Sequence, residues 1–170
     1  MNDSKITQAL LRELFEYRED GVFVRKVATS NRVKVGDVAG WETVGHRYVG
    51  LCVNGKKHLM HRMIFLYHHG YLPKCIDHID GDGSNNRIEN LREATQSQNL
   101  MNVPGRSGTK SGMKNVYWHS KLHKWAVHAK VGDKVKYFGL YEDIELAELV
   151  ATEVRNKYHK QFANHNMRSA

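Results

Sequence analysis

Ile6, Leu10, Leu14 and Tyr17 recur at intervals of three and four residues, the spacing that lines one side of an α-helix. Residues 5–17 therefore predict a short amphipathic helix, and Asp20-Gly21 predicts the turn that ends it. The pattern then shortens. "VFVRKV", "RYVGLCV" and "KKHLM" read as β segments between glycines, with Asn54-Gly55 as a hairpin turn between the last two. Together they predict a small, twisted, basic sheet over residues 21–60. The apolar run Met63, Ile64, Leu66, Tyr67 stops at Gly70 and Pro73 and predicts a helix packed on that sheet. His61 stands at its start, where a histidine is a candidate ligand but more often has an ordinary structural role.

Residues 75–102 predict strand, loop, strand and helix: "CID" leads into His78, "GDGSNN" turns, "RIENL" is a short strand or extended turn, and "TQSQNLMN" is a helix capped by Thr95. "VPGRSGTKSGM", residues 103–113, is rich in Gly, Ser and Lys and reads as a flexible, positively charged linker. Beyond it come three β segments, "NVYWH", "KWAVHAKV" and "KVKYFGLY". The helical stripe Ile144, Ala147, Val150, Ala151, Val154, Tyr158 follows. That order predicts a three-stranded antiparallel sheet with one helix across one face. Alternation on the middle strand points Trp125, Val127 and Ala129 to the helix and leaves Lys124, Ala126, His128 and Lys130 outside.

The fold class expected is α+β in two units: residues 1–104, a linker at 105–112, and residues 113–170. At 170 residues and 41% hydrophobic content, two modest cores are affordable. Twenty-six Lys and Arg against 18 Asp and Glu give a net charge of +8 spread along the chain, which makes nucleic acid the leading partner. No apolar stretch approaches a transmembrane helix, and residues 1–11 lack the pattern of a signal peptide. The expectation is a cytoplasmic protein with no membrane and no small-molecule substrate. Cys52 and Cys75, with no Cys-x-x-Cys pair, read as two reduced thiols rather than a zinc clip or a disulfide framework.

"CIDHIDGDGSNNRIENLREATQSQN" concentrates Asp77, His78, Asp80, Asp82, Asn85, Asn86, Asn90 and Asn99 where little apolar material can cover them. Such side chains bury poorly without partners. Cleaving a phosphodiester needs a base for water, a divalent cation and positive groups for the backbone, and this run contains the residue types for all three. The oxygen donors of Asp77 and Asn99 suit a hard ion such as Mg2+ or Mn2+. Turn capping is the alternative use of Asn85 and Asn86. Arg87 and Arg92 serve either a phosphate or an internal salt bridge.

This run resembles the His-Asn-His (HNH) nucleases of the ββα-metal fold, especially the homing endonucleases of phages and introns. The resemblance covers residues 15–104 and is densest at 61–99. It implies that Asp77 and Asn99 are metal ligands, His78 the general base, and Asn90 the asparagine that pins the loop through backbone hydrogen bonds. Arg92 joins the catalytic group as a phosphate-gripping candidate. Asn99 departs from the final His of the family name.

Residues 113–166, "NVYWHSKLHKWAVHAK", "YFGLYED" and "AELVATEVRNKYHKQFANHN" included, resemble the plant ethylene-response-factor (APETALA-two type) DNA-binding domain. That resemblance implies that Lys114, Tyr117, His119, Lys124, His128, Lys130 and Tyr137 face DNA. Several arginines of the plant domain are replaced, so docking carries over better than base preference. The expected activity is metal-dependent hydrolysis of duplex DNA leaving 5′-phosphate and 3′-hydroxyl ends. One motif per chain points to nicking by a monomer. The alternatives are a DNA-binding regulator with a degenerate motif and an RNA-binding accessory protein; the latter lacks the base-stacking signature of RNA modules.

Overall fold

The computed structural model describes residues 6–42, 48–106 and 108–165. Lys5 and Arg47, which open two of the expected elements, and residues 1–5 of the expected leaderless start lie outside them. Two compact units, Met1–Ala94 and Thr95–Ala170, divide the chain. Among the described residues there are four α-helices and several small antiparallel sheets, a mixed α/β protein.

The first unit opens with α1, Gln8–Leu14, whose N-cap Thr7 accepts from Leu10 N. The helix is shorter than its apolar spacing predicts. Residues 15–18 alternate in burial and pair instead as strand β1 (Phe15–Arg18) with β2 (Val22–Arg25) across the Asp20-Gly21 turn. Tyr17 is thus a strand residue. β3 (Val38–Ala39) adds to β2, while β4 (Trp41–Glu42), β5 (Val49–Val53) and β6 (Lys56–Leu59) form a separate sheet. Where one sheet was expected over 21–60, there are two. Asn54 and Gly55 both take positive φ in the β5–β6 hairpin, as a tight two-residue turn requires.

Helix α2, Met60–His69, ends at Gly70 in the left-handed region, its N–H returning to Leu66 O. It buries Met63, Ile64, Phe65 and Leu66 in a core with Leu11, Phe15, Phe23 and Leu51. Phe15 and Phe23 stack at 5.2 Å between ring centroids; each fully buried ring contributes roughly 1.5–3 kcal/mol. β7 (Cys75–His78) pairs antiparallel with β8 (Leu91–Ala94), and a 3-10 turn at Ile88–Asn90 leads into β8. "RIENL" is thus mostly the extended turn, its second reading, and the second strand of the hairpin begins at its last residue, Leu91.

The second unit begins with α3, Gln96–Asn102, held by a capping box between Thr95 and Gln98. Three side chains tie it to the rest of the unit: Ser97 Oγ donates to Gly132 O, Lys114 Nζ to Met101 O, and Asn164 Nδ2 to Asn102 O. Those bonds are why the compact units divide before α3 and not within the Gly/Ser/Lys-rich run. In that run Ser111 Oγ donates to Val116 O at 2.7 Å.

β9 (Val116–His119), β10 (Lys124–Val131) and β11 (Lys134–Tyr141) form an antiparallel sheet in the order β11-β10-β9. α4, Ile144–His159, packs Ala147 and Ala151 against Val116 and Val127. Asp143 caps it by accepting from Glu145 N and Leu146 N. Arg155 is wholly buried and donates to Glu148, Thr152, His165 Nδ1 and Lys114 O, so its charge is paired and its donors are used. The pairing of β10 with β11 shifts register between Ala126 and His128, with the extra residue on β11 where Gly139 takes a positive φ; Ala126, expected outside, is only 4% exposed.

Candidate active site

A strand with one wet face buries every second residue, yet Ile76, Asp77 and His78 of β7 are all buried. Two consecutive polar side chains inside a small unit demand partners. Asp77, 3% exposed, stands directly opposite Arg92 in the β7–β8 register. Arg92 donates to Asp77 Oδ2 through Nε at 2.8 Å and lies 2.6 Å away through Nη2. Arg92 thus has the internal ion pair that was one of its two sequence readings.

His78, 6% exposed, has its Nε2 3.1 Å from Asn86 Oδ1. Asn86 is 2% exposed, and its Nδ2 donates to Ser84 O. The loop between is organised by Asn90. Its Oδ1 accepts from Asp80 N, its Nδ2 donates to Asn85 O and Asp80 Oδ1, and its own carbonyl accepts from Ile79 N. Burial alone would raise the Asp80 carboxyl. Hydrogen bonds from Asn90, Asp82 N and Asn85 outweigh it and hold the group below the usual carboxylate value.

The N-terminal hairpin touches the same loop. Tyr17 OH accepts from Ile88 N at 2.9 Å. Gly21, at φ +87°, lies so close that a methyl there would stand 2.5 Å from Arg87 N and 2.6 Å from Asn86 C; only glycine fits both the dihedral and the space.

Around His78 the rings of His61 and Tyr48 close a triangle, with centroids 5.0 Å (His61–His78), 5.1 Å (Tyr48–His61) and 5.8 Å (Tyr48–His78). Burial, with smaller contributions from His78 and Arg62, pushes the His61 imidazole down to about 3. It is neutral at ordinary pH, and its buried Nδ1 has no hydrogen-bond partner among the described residues. Sequence reasoning leaves His61 as a helix-start residue or a ligand and Asn86 as a turn cap or a site residue, and names His78 as the partner of neither. Nothing in their neighbours along the chain signals contact with His78, because both contacts are made by tertiary packing.

Asn99 is on α3 and belongs to the second unit, whereas Asp77, His78, Asn90 and Arg92 come together in the first. Among the described residues no group of three His, Cys, Asp or Glu side chains is placed to hold a metal ion. Within the first unit the Asp77 carboxylate is a hard oxygen donor of the kind that suits an ion keeping much of its water.

On the second unit's open sheet face, Tyr117, His128 and Tyr137 run across all three strands, with centroids 6.0 and 5.3 Å apart. Tyr117 and Tyr137 are 50% and 56% exposed. Lys130 is half-buried, Lys124 pairs with Glu142 at 3.1 Å, and His119 Nδ1 accepts from Leu122 N. Lys114 is set apart from this row by its bond to Met101 O. Its ammonium is held down to about 8, chiefly by burial and also by Arg155.

Residues 58–101 match the family described as HNH endonuclease, a span that takes in His61, Asp77, His78, Asn86, Asn90, Arg92 and Asn99. Protein 3.8 of Escherichia phage T7 is 33% identical over 98 residues, 55% of this chain and 78% of the phage protein. The chain belongs to the family of that phage protein and carries an HNH endonuclease domain. No solved structure matches the chain significantly. The buried Asp77, His78, Asn86 and Asn90 fall inside the HNH domain, while Tyr17, Gly21, Tyr48 and the open face of the second unit lie outside it. Among the described residues no helix is long and apolar enough to cross a membrane.

Proposed function

We propose that the protein is a metal-dependent DNA endonuclease of the homing type, in which His78 is the general base that activates water against a phosphodiester. The observation that carries the reading is the pairing of a buried imidazole with a neutral acceptor, His78 Nε2 on Asn86 Oδ1 at 3.1 Å, beside a buried carboxylate within an HNH domain. A histidine so held is oriented for proton transfer. Asp77 and Asn99 would hold Mg2+ or Mn2+, which supplies neutralisation of charge on the phosphate and the leaving oxygen. Arg92 fixes the Asp77 carboxylate, and Asn90 fixes the loop through backbone bonds. In this reading β7, β8 and α3 would supply the elements of a ββα-metal motif.

In functional terms residues 1–104 cut, 105–112 link and 113–170 dock. The resemblance of the last part to the ethylene-response-factor domain, together with the exposed ring row, supports duplex DNA against Tyr117, His119, Lys124, His128, Lys130 and Tyr137, and the same resemblance adds Lys114. The working form is a monomer in the host cytoplasm that nicks one strand. The test is purified protein on supercoiled plasmid with Mg2+ or Mn2+. Metal-dependent relaxed circles support the reading, and intact plasmid together with a retained gel shift favours the binding-only regulator.

A further inference from the structure

We propose that the β1–β2 hairpin, which lies outside the HNH match, is a positioning element for the base: it fixes the Asn86–Arg87 backbone, and Asn86 in turn sets the tautomer and orientation of His78. The inference rests on the nuclease reading for its catalytic consequence, but its structural part stands on geometry alone.

The chain of contacts starts at the hairpin turn. Gly21 packs against the peptide between Asn86 and Arg87 at a distance no other residue allows. One strand residue away from that turn, Tyr17 takes the next amide in line, Ile88 N. The loop segment 86–88 is therefore held from one side by backbone packing and by a hydroxyl from residues nearly seventy positions earlier. Those two holds limit its freedom to tilt.

Asn86 converts that fixed backbone into a fixed imidazole. Its amide group is oriented by Nδ2 donating to Ser84 O, which leaves Oδ1 facing His78. An amide oxygen only accepts, so His78 Nε2 must carry the proton, and Nδ1 then bears the lone pair that accepts a proton from water. The Asn86 oxygen favours that tautomer. The His61 and Tyr48 rings limit how far the imidazole can swing, but rings in tilted or edge contact do not choose which nitrogen is protonated.

The experiment uses the full chain and three substitutions: Asn86→Leu, which keeps the size and removes the acceptor; Asn86→Asp, which keeps an acceptor oxygen; and Tyr17→Phe, which removes only the hydroxyl. Long-range 1H–15N NMR of the His78 ring in metal-free protein, at a pH above the histidine range, reads the tautomer, and plasmid nicking under saturating metal reads kcat and KM. The wild type is expected to show the Nε2–H form. Asn86→Leu should lose that preference and about a hundredfold in kcat with KM held within about twofold, while Asn86→Asp retains the tautomer and recovers most of kcat. Tyr17→Phe should lower kcat in the same sense, by about threefold to tenfold, without changing KM. An unaltered tautomer in Asn86→Leu, or an Asn86→Asp protein as impaired as Asn86→Leu, overturns the role of Asn86; an unaltered kcat and His78 spectrum in Tyr17→Phe overturns the role of the hairpin. If the wild type does not cut DNA, the nuclease reading fails separately and the NMR result alone decides the positioning claim.

Discussion

Asp77 and Arg92 show how a single pair decides what the β7–β8 hairpin tolerates. Both guanidinium contacts go to one carboxylate oxygen of a residue that is almost wholly buried. Removing the guanidinium leaves a desolvated carboxylate, so Arg92→Ala is expected to cost about 3–5 kcal/mol in urea unfolding. Arg92→Lys, which keeps the charge but not the fork, should fall between. At His61 the same logic concerns a proton. Its folded value is about 3 against an ordinary 6.5, so the unfolded chain binds the proton more readily than the folded one. The stability is complete above about 6.5 and is lost as pH falls toward 3, at up to about 1.4 kcal/mol per pH unit. His68 and His159 are lowered by burial in the same sense. Unfolding midpoints measured between neutral pH and about pH 5 should therefore drop, and His61→Leu should flatten that slope without abolishing it. The Asp-His pair was legible because no turn needs an imidazole beside a carboxylate. His61 and Asn86 were not, because their partners are distant in the chain or across a loop whose path the sequence does not specify.

Elements followed local rules where one rule acted alone. The Asn54-Gly55 hairpin, the Gly70 stop of α2 and the Thr95 cap of α3 all form at the positions their residues favour. The first helix did not, because Tyr17 satisfies both a helical interval and a strand alternation, and pairing with β2 selected the strand. Ala126 is buried although its alternation points outside; it stands between Tyr117 and Leu140 of the flanking strands, larger neighbours that the alternation of β10 alone does not announce. Two predictions belong to this scale. Thr95→Ala removes the side-chain half of a capping box and should destabilise by about 1 kcal/mol, read as a lower thermal midpoint. Gly21→Ala meets both a left-handed φ and two backbone atoms, and should cost about 2 kcal/mol or more in denaturant unfolding. Because the strain falls on the Asn86–Arg87 peptide, it should also perturb the His78 resonances.

The whole molecule carries a net charge of +8 and two compact units whose proposed duties differ. If the second unit's open face holds DNA, Tyr117→Ala combined with Tyr137→Ala should weaken binding by about tenfold or more at fixed salt. Lys130→Ala should instead reduce the salt dependence of binding by about one counterion. Neither change should alter the His78 spectrum. Composition made nucleic acid the expected partner, and the asparagine-rich run carried the HNH resemblance. Placement of α3 with the second unit was not legible, since it rests on Lys114, Gly132 and Asn164 meeting it through bonds made far along the chain. The most direct test of the central claim is plasmid relaxation by wild type and His78→Ala, each with Mg2+, with Mn2+ and with chelator. The account predicts relaxed circles from wild type with metal and none with chelator or with His78→Ala. Equal relaxation by His78→Ala, or none by wild type while it still shifts DNA on a gel, would contradict it.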